Sequence, residues 1–258
     1  MRFDVFSLLP QVIQPYLEVS ILQRAIQNGL LEVHLHDIRA WTTDKHHVTD
    51  DAPFGGGGGM VMKPEPIFAA VEEILGSPPA WPVILLTPQG RTYNQQVAQE
   101  LSFHPRLALL CGRYEGVDER VREHLVTDQI SIGDYVVTGG EIPALLLIDS
   151  LTRLIPGALG DPDGAQDDSF ASGLLEYPHY TRPAEFRGWR VPDVLLSGNH
   201  AQINRWRRDQ SLLRTRRLRP DLLEKFELNK KDREFLKKLE QEESNSPPTE
   251  NPPDSPGE

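Results

Sequence analysis

The chain has 258 residues, enough for one large domain or two, and a formal net charge of −11. Hydrophobic residues make up 38% of it, and no apolar run reaches about 18 residues, which argues against a transmembrane helix and a membrane partner. The N-terminal segment, with Asp4 and a short apolar stretch before Pro10, does not fit a secretory signal. The lone Cys111 excludes an internal disulfide and fits a reducing cytoplasm.

Short apolar strands alternate with helical patterns through the first half of the chain. Runs rich in Val, Ile, Leu and Phe predict strands over 3–9, 31–36, 82–87 and 107–111. The spacing of apolar residues predicts helices over 17–28, 66–75, 94–101 and 118–125, with Asp118 as a cap of the last. This alternation indicates an α/β architecture with a largely parallel sheet, while the pattern leaves the strand order open.

The run from 131 to 144, SIGDYVVTGGEIPA, is the strongest candidate for a ligand loop. Its pattern predicts a short strand or turn that leads into a helix. Gly139 and Gly140 permit positive φ and a close approach of backbone, and Glu141 and Pro143 suit the first turn of the helix. From the spacing alone, a ligand loop and a plain glycine turn between buried elements are equally good interpretations.

The second half of the chain predicts a change of organisation. The segment 142–154 is apolar nearly all round, which predicts a buried helix or a helix in a dimer interface. The stretch 160–172, rich in Gly, Asp, Pro, Gln and Ser, predicts a linker between a first domain over 1–159 and a helical domain over 173–243. Residues 244–258 contain five prolines and no large apolar residue, which predicts a disordered acidic tail.

Basic residues are concentrated in one segment despite the acidic total. Residues 203–219 hold seven arginines and the single acid Asp209, interleaved with Trp206. Arginine forks to phosphate and stacks on planar groups in ways that lysine does not. The segment is therefore either an RNA-binding surface or an ordinary solvated helix face, and its composition favours RNA.

Two other chemistries are disfavoured by the motifs. The glycine loop 55–59 has Met60 in place of the final glycine of a dinucleotide fingerprint, and it is not followed by the Gly-Lys-Ser/Thr of a phosphate loop. Four histidines form two pairs, His34 with His36 and His46 with His47. Without cysteines or a helical histidine pair, a metal site there is less well supported than surface histidines or a loop that meets RNA phosphate.

Several blocks follow one another along the chain: DDAPFG running into Gly59-Met60, then TPQGR, CGRYEGVDERV, the glycine run above, DSF, PHYTRP and LLSGNH. In this order they resemble the bacterial tRNA (guanine-N1)-methyltransferases. The resemblance extends to about residue 243. It implies a trefoil-knotted methyltransferase domain of the SPOUT superfamily with a small helical C-terminal domain, although general topology rules argue against knots. It also implies S-adenosylmethionine as cofactor, tRNA as partner, a homodimer and a cytoplasmic location.

The same resemblance implies a set of cofactor contacts. Many are glycines or apolar residues, suited to backbone hydrogen bonds with adenine and to a dry slot for its ring. The positions are Pro88, Gly90, Gly112, Tyr114, Glu115, Gly116, Ile132, Gly133, Asp134, Tyr135, Val136, Val137, Gly139 and Gly140. Glu115 is also a candidate for helping to bind a Mg²⁺ ion, for which the sequence holds no signature.

Methylation of guanine N1 requires a base, because this nitrogen carries a proton, and hydrogen-bond donors near O6. The resemblance implies Asp168 as the base and Arg153 as the donor to O6. From the residues alone, Asp168 could equally cap a helix and Arg153 could pair with Asp149. The rival functions are a methyltransferase for another RNA nucleotide and a non-catalytic RNA-binding protein with the same fold.

Overall fold

The structure, a computed structural model, describes residues 1–160 and 168–245. It divides into two compact units, Met1–Ala165 and Gln166–Glu258. Most of the predicted linker, 161–167, and the tail beyond 245 lie outside the described residues.

Seven strands and six α-helices lie within residues 1–160. The strands are β1 (Arg2–Ser7), β2 (Glu32–Asp37), β3 (Asp50–Asp51), β4 (Val61–Met62), β5 (Val83–Thr92), β6 (Arg106–Cys111) and β7 (Asp128–Ser131). The helices are α1 (Gln14–Leu17), α2 (Ser20–Gln27), α3 (Pro64–Leu75), α4 (Gln95–Ser102), α5 (Glu119–His124) and α6 (Glu141–Thr152). Asp118 caps α5, as predicted, by accepting a hydrogen bond from Arg120 N (3.0 Å).

Five strands form one sheet in the order β2-β1-β6-β5-β7, with every neighbouring pair parallel. Successive residues of the central strands point into two separate apolar clusters, so both faces of the sheet are buried. For example, Ile84 and Leu109 pack with α6 on one face, while Leu85 and Leu110 pack with α3 on the other. The predicted α/β architecture with a parallel sheet is confirmed.

The path of the chain after β7 sets up the site described below. This strand lies at the edge of the sheet beside β5, yet Gly140 N donates to Gly112 O (2.9 Å) directly after β6, one strand further in. The segment 132–140 therefore passes the end of β5. It leads into α6, which buries one face and leaves Ile142 and Leu146 exposed on another. The helix is apolar nearly all round, as its sequence indicates, but it is only partly buried within this chain.

The second unit is a hairpin followed by helices. The hairpin pairs β8 (Glu185–Phe186) with β9 (Trp189–Arg190), and the helices are α7 (Asp193–Leu196), α8 (His200–Leu218), α9 (Pro220–Glu224) and α10 (Lys230–Asn245). Asn199 and Asn229 cap α8 and α10. The last helix runs to Asn245, two residues beyond the predicted end of the helical domain.

Arginines of α8 hold this small unit together. The fully buried apolar core contains little more than Leu174, Leu212 and Leu236. Beside it, the buried carboxylate of Asp232 accepts hydrogen bonds from Arg205 (3.3 Å) and Arg208 (2.8 Å). Arginines of the same run also lie over aromatic rings, Arg207 over Tyr177 and Arg208 over Phe226. Two more form hydrogen bonds, Arg214 with Glu176 O and Arg219 with Asp221. The arginine run thus makes many contacts within the unit, and its role as an RNA-binding surface stays a prediction.

We expect Asp232→Asn to destabilise the second unit by about 1–3 kcal/mol, because it removes the negative charge that pairs with Arg205 and Arg208. The effect is limited because the side chains of both arginines stay partly in water. Burial alone would raise the pKa of Asp232, but the hydrogen bond from Arg208 and the charges of Arg208 and Arg205 hold it below its ordinary value. Because the pKa of Asp232 is lower in the folded protein than in the unfolded chain, its carboxylate stabilises the fold at any pH above the unfolded pKa. This stability is lost as the pH falls through the folded pKa.

Thermal melting from pH 7 to pH 3 measures this effect. The gap in Tm between the wild type and Asp232→Asn should close below about pH 4. The matched control is Asp221→Asn, which removes an exposed partner of Arg219 and should leave Tm almost unchanged. Equal losses from the two variants would contradict the structural role of Asp232.

Candidate active site

A cavity of about 260 Å³ opens at the carboxyl ends of β5, β6 and β7. Three chain segments, 85–89, 112–117 and 130–140, supply nearly all of its lining, together with Arg122 and Pro143. Ligands of open parallel sheets bind at this edge, because loops that follow neighbouring strands converge there. The cavity is the described feature of the first unit that best suits a small ligand.

The loop after β6 is held from both sides by backbone hydrogen bonds. Glu115 N donates to Met60 O (3.0 Å), and Met62 N donates to Gly116 O (2.9 Å), which ties the loop to β4. Within the loop, Gly116 N donates to Arg113 O (3.0 Å). Tyr114, at φ 59°, and Gly116, at φ 124°, make the tight turn that presents backbone groups to the cavity.

The glycine run after β7 is shaped by its own backbone. Ser131 Oγ donates to Gly133 O (3.0 Å), and Tyr135 N donates to the same carbonyl (2.9 Å). Gly140 then lies so close to the end of β6 that a Cβ there would stand 2.6 Å from Cys111 Cα. No L side chain fits at that position, and the glycine is needed for close backbone approach.

Eleven of the fourteen predicted cofactor residues line this cavity. They are Pro88, Gly112, Tyr114, Glu115, Gly116, Ile132, Tyr135, Val136, Val137, Gly139 and Gly140. Gly90, Gly133 and Asp134 are not among the lining residues. Gly90 instead permits contact between β5 and β7, because a Cβ there would overlap the backbone of Gln129 and Ile130.

Sequence reasoning missed the charged groups beside the cavity. The lining also includes Leu85, Leu86, Thr87, Gln89, Arg113, Val117, Arg122, Ile130, Ser131, Thr138 and Pro143. Arg113 Nε donates to Glu141 Oε1 (3.2 Å), and the buried carboxylate also accepts a hydrogen bond from Ser7 Oγ (2.7 Å). Arg113 lies between two predicted contacts in the CGRYEG block, and that position was the available signal.

Cys111 lies in the buried end of β6 and is chemically inert there. Complete burial raises the pKa of its thiol well above the ordinary value, and the negative charge of Glu141 adds to the effect. A thiol held neutral in this way is a poor nucleophile. Cys111 is a core residue of the predicted strand over 107–111.

The two predicted catalytic residues belong to different units. Arg153 is partly buried at the end of α6, where its N–H donates to Asp149 O (3.3 Å). Asp168 is partly buried at the start of the described part of the second unit, and its carbonyl accepts a hydrogen bond from Ala171 N (3.1 Å). Each is placed within its own unit, and their catalytic roles stay predictions.

Metal-binding geometry and membrane-spanning helices are absent from residues 1–160 and 168–245. No group of three His, Cys, Asp or Glu side chains there could hold a metal ion, and no helix is long and apolar enough to cross a membrane. Two of the histidines with unassigned roles make local contacts. His36 Nε2 lies 2.9 Å from Asp4 Oδ1, and His47 Nδ1 lies 2.8 Å from Thr42 Oγ1.

Comparison with known proteins decides the family. Residues 1–225 match the family model described as tRNA (Guanine-1)-methyltransferase TrmD. The chain belongs to this family. A tRNA (guanine-N(1)-)-methyltransferase of Dehalococcoides mccartyi is 57% identical over 245 residues, 95% of this chain and 99% of that protein. Proteins of the same name from Moorella thermoacetica and Brevibacillus brevis are each 56% identical, over 96% and 94% of this chain and 100% and 99% of their own lengths.

The resemblance inferred from the sequence blocks is therefore confirmed. In this family member, the crowding at Gly140 makes a sharp prediction. We expect Gly140→Ala to lower Tm and to weaken S-adenosylmethionine binding, since the new methyl group meets backbone at Cys111 and Gly112 and can be accommodated only by moving both loops. Overpacking of this kind costs about 1–3 kcal/mol.

Calorimetry and thermal melting check the prediction, with Gly160→Ala as the matched control. A Cβ at Gly160 meets nothing within 4 Å, so this variant should behave like the wild type. If Gly140→Ala bound S-adenosylmethionine normally, the two loops would not be locked by backbone contact.

Proposed function

We propose that the protein transfers a methyl group from S-adenosylmethionine to N1 of the guanine immediately 3′ of the anticodon in tRNA. The observation that carries this proposal is membership of the tRNA (guanine-1)-methyltransferase family over residues 1–225. The cavity at the carboxyl edge of the sheet gives the reaction a place in the first unit.

The residues of the cavity fit the methyl donor. Backbone groups at Gly112, Gly116 and Gly139 are accessible without side chains in the way, and Ile132 and Val137 supply apolar walls for the adenine ring. When bound, S-adenosylmethionine supplies the electrophilic methyl group. The protein's own contribution is to orient the donor and to exclude water from the reacting atoms.

Two side chains are assigned to the chemistry of the guanine. Asp168 accepts the N1 proton, which makes the nitrogen lone pair available as a nucleophile. Arg153 donates hydrogen bonds to O6, where negative charge collects as the proton leaves.

The proposed architecture is the trefoil-knotted SPOUT fold over 1–159, followed by a linker over 160–172, a tRNA-binding domain over 173–243 and the acidic tail over 244–258. The segment after edge strand β7 passes β5 to reach the end of β6, and it must cross the chain that leaves β5 on the way to α6. This crossing supports the knot.

We also propose a homodimer. Ile142, Leu146 and Tyr16 expose apolar surface on or beside α6, which a second copy would cover. Since its substrate is tRNA, we place the enzyme in the cytoplasm.

Glu115 is the single acid of the cavity lining within the described chain, and no group of three His, Cys, Asp or Glu side chains there could hold a metal ion. No step is therefore assigned to a metal ion.

The proposal is tested with unmodified tRNA and S-adenosylmethionine, followed by mass spectrometry of the digested nucleosides. The wild type should form 1-methylguanosine at the position 3′ of the anticodon. Asp168→Asn should bind S-adenosylmethionine normally but lose about 10²–10⁴-fold in single-turnover rate, the usual contribution of a general base. A normal rate would remove Asp168 from the mechanism, and cofactor binding without methylation would favour the non-catalytic RNA-binding protein.

Light scattering on the same sample tests the homodimer, which a fully active 29.1 kDa monomer would contradict.

The surface that binds RNA is assigned to the second unit on its charge. Residues 168–245 hold 16 Lys and Arg against 13 Asp and Glu, whereas residues 1–160 hold 11 against 19. Most arginines of α8 are committed to internal contacts, so the exposed segment 179–190 is the better candidate. Phe186 (56% exposed) and Trp189 (70% exposed) stand side by side on its hairpin, and the Arg187 guanidinium lies 5.2 Å from the Phe186 ring centre. Exposed rings with arginine are the usual platform for unpaired RNA bases.

We expect Trp189→Ala to weaken tRNA binding by about 1–3 kcal/mol, the typical value for one stacked base, and to leave S-adenosylmethionine affinity unchanged. The control is Phe103→Ala, which removes an equally exposed ring (85%) from the first unit. Fluorescence anisotropy with a labelled anticodon stem-loop measures both. If the two variants bound RNA equally well, the hairpin would not be the docking surface.

A further inference from the structure

A connected polar cluster is buried beside the cavity where three elements meet. Ser7 ends β1, Arg113 follows β6, and Glu141 begins α6. Ser7 and Glu141 are essentially inaccessible to water. Leu9 N donates to Ser7 Oγ (2.9 Å), Ser7 Oγ donates to Glu141 Oε1 (2.7 Å), and Arg113 Nε donates to the same carboxylate oxygen (3.2 Å). The cluster fixes the direction of the Arg113 side chain.

Arg113 retains donors for a ligand. Its terminal nitrogens donate to no acceptor in the part of the chain that the structure describes, and its side chain is 22% exposed at the cavity. Gly139 makes room for it, because a Cβ there would lie 3.0 Å from Arg113 Nε. The other cation of the lining, Arg122, is committed to Gln129 (2.7 Å), Thr87 (3.4 Å) and Glu119 (3.3 Å).

Stability alone does not account for this arrangement. A buried ion pair usually contributes no more than well-packed apolar residues of the same volume, because both charges lose their hydration. Holding a guanidinium at a cavity, in contrast, requires such a partner. The cluster is better explained as a device for positioning Arg113.

The charges of the lining indicate the ligand group. Arg113 offers a planar pair of donors that matches the two oxygens of a carboxylate. Glu115, two residues further on, places a negative charge on the same lining. This combination suits a zwitterion, whose ammonium group would meet Glu115, and it suits a phosphate poorly because Glu115 repels it.

We propose that Arg113 binds the carboxylate of the methionyl group of S-adenosylmethionine, and that Glu141 and Ser7 are positioning residues for it. This inference rests on the proposed function for the identity of the donor. It adds a binding residue and its two supports to the glycine-rich contacts assigned above.

The test compares S-adenosylmethionine with its decarboxylated form, which lacks only the carboxylate, by calorimetry in the absence of RNA. The wild type should bind the complete donor about 10- to 100-fold more tightly. In Arg113→Gln the two ligands should bind within about twofold of each other, with the decarboxylated form bound as by the wild type. Normal binding of that form also shows that the variant is folded. The control Arg120→Gln removes an exposed arginine outside the cavity lining and should keep the wild-type ratio.

Glu141→Gln tests the positioning role, since it keeps the shape but removes the charge that holds Arg113. It should lower the ratio between the two ligands several-fold without changing the affinity for the decarboxylated form. Equal affinity of the wild type for both ligands would overturn the proposal even if every variant failed to fold. An unchanged ratio in Arg113→Gln with a raised KM for tRNA would assign the arginine to an RNA phosphate instead. Because binding is measured without RNA, a failure to methylate tRNA would leave this result intact.

Discussion

The contact between Gly140 and the end of β6 is the constraint on which the rest of the site depends. At 2.6 Å from Cys111 Cα there is no space for a β-carbon, and Gly140 N donates to Gly112 O at 2.9 Å. The loops that follow β6 and β7 are therefore locked to each other through backbone. The glycines at 112, 116, 139 and 140 leave backbone at the lining of the cavity, and its position does not depend on side-chain rotamers.

The same contact determines where the charges of the site stand. Glu141 directly follows Gly140, so locking the glycine delivers its carboxylate to the buried end of β6, near the N-terminus of α6, where the helix dipole favours an anion. There its charge adds to the burial that raises the pKa of the Cys111 thiol, and it accepts a hydrogen bond from Arg113. One close approach of backbone thus accounts for a buried carboxylate and an oriented guanidinium.

Apolar runs in the sequence predict individual strands, but they do not predict contacts between residues that are far apart in the chain. The apolar run predicted as a strand over 107–111 is β6 (Arg106–Cys111). No predicted strand covers β7, because Asp128 and Gln129 break its apolar pattern. The glycine run marked the cavity, but Arg113 was missed since its role depends on Glu141 and Ser7, 28 and 106 residues away. The internal contacts of the α8 arginines are not predictable for the same reason, because Asp232 lies on another helix.

The two units solve the problem of charge in opposite ways. The first unit buries a continuous apolar core on both faces of its sheet and confines its buried ions to a few clusters, so its excess of acids lies mainly on the surface. The second has too few apolar residues for such a core and neutralises arginines against Asp232 and aromatic rings instead. Exposed rings and Arg187 lie on its hairpin, where Arg190 pairs with Glu185 and Asp193. The acidic first unit repels phosphate, which supports the proposal that RNA docks on the second unit.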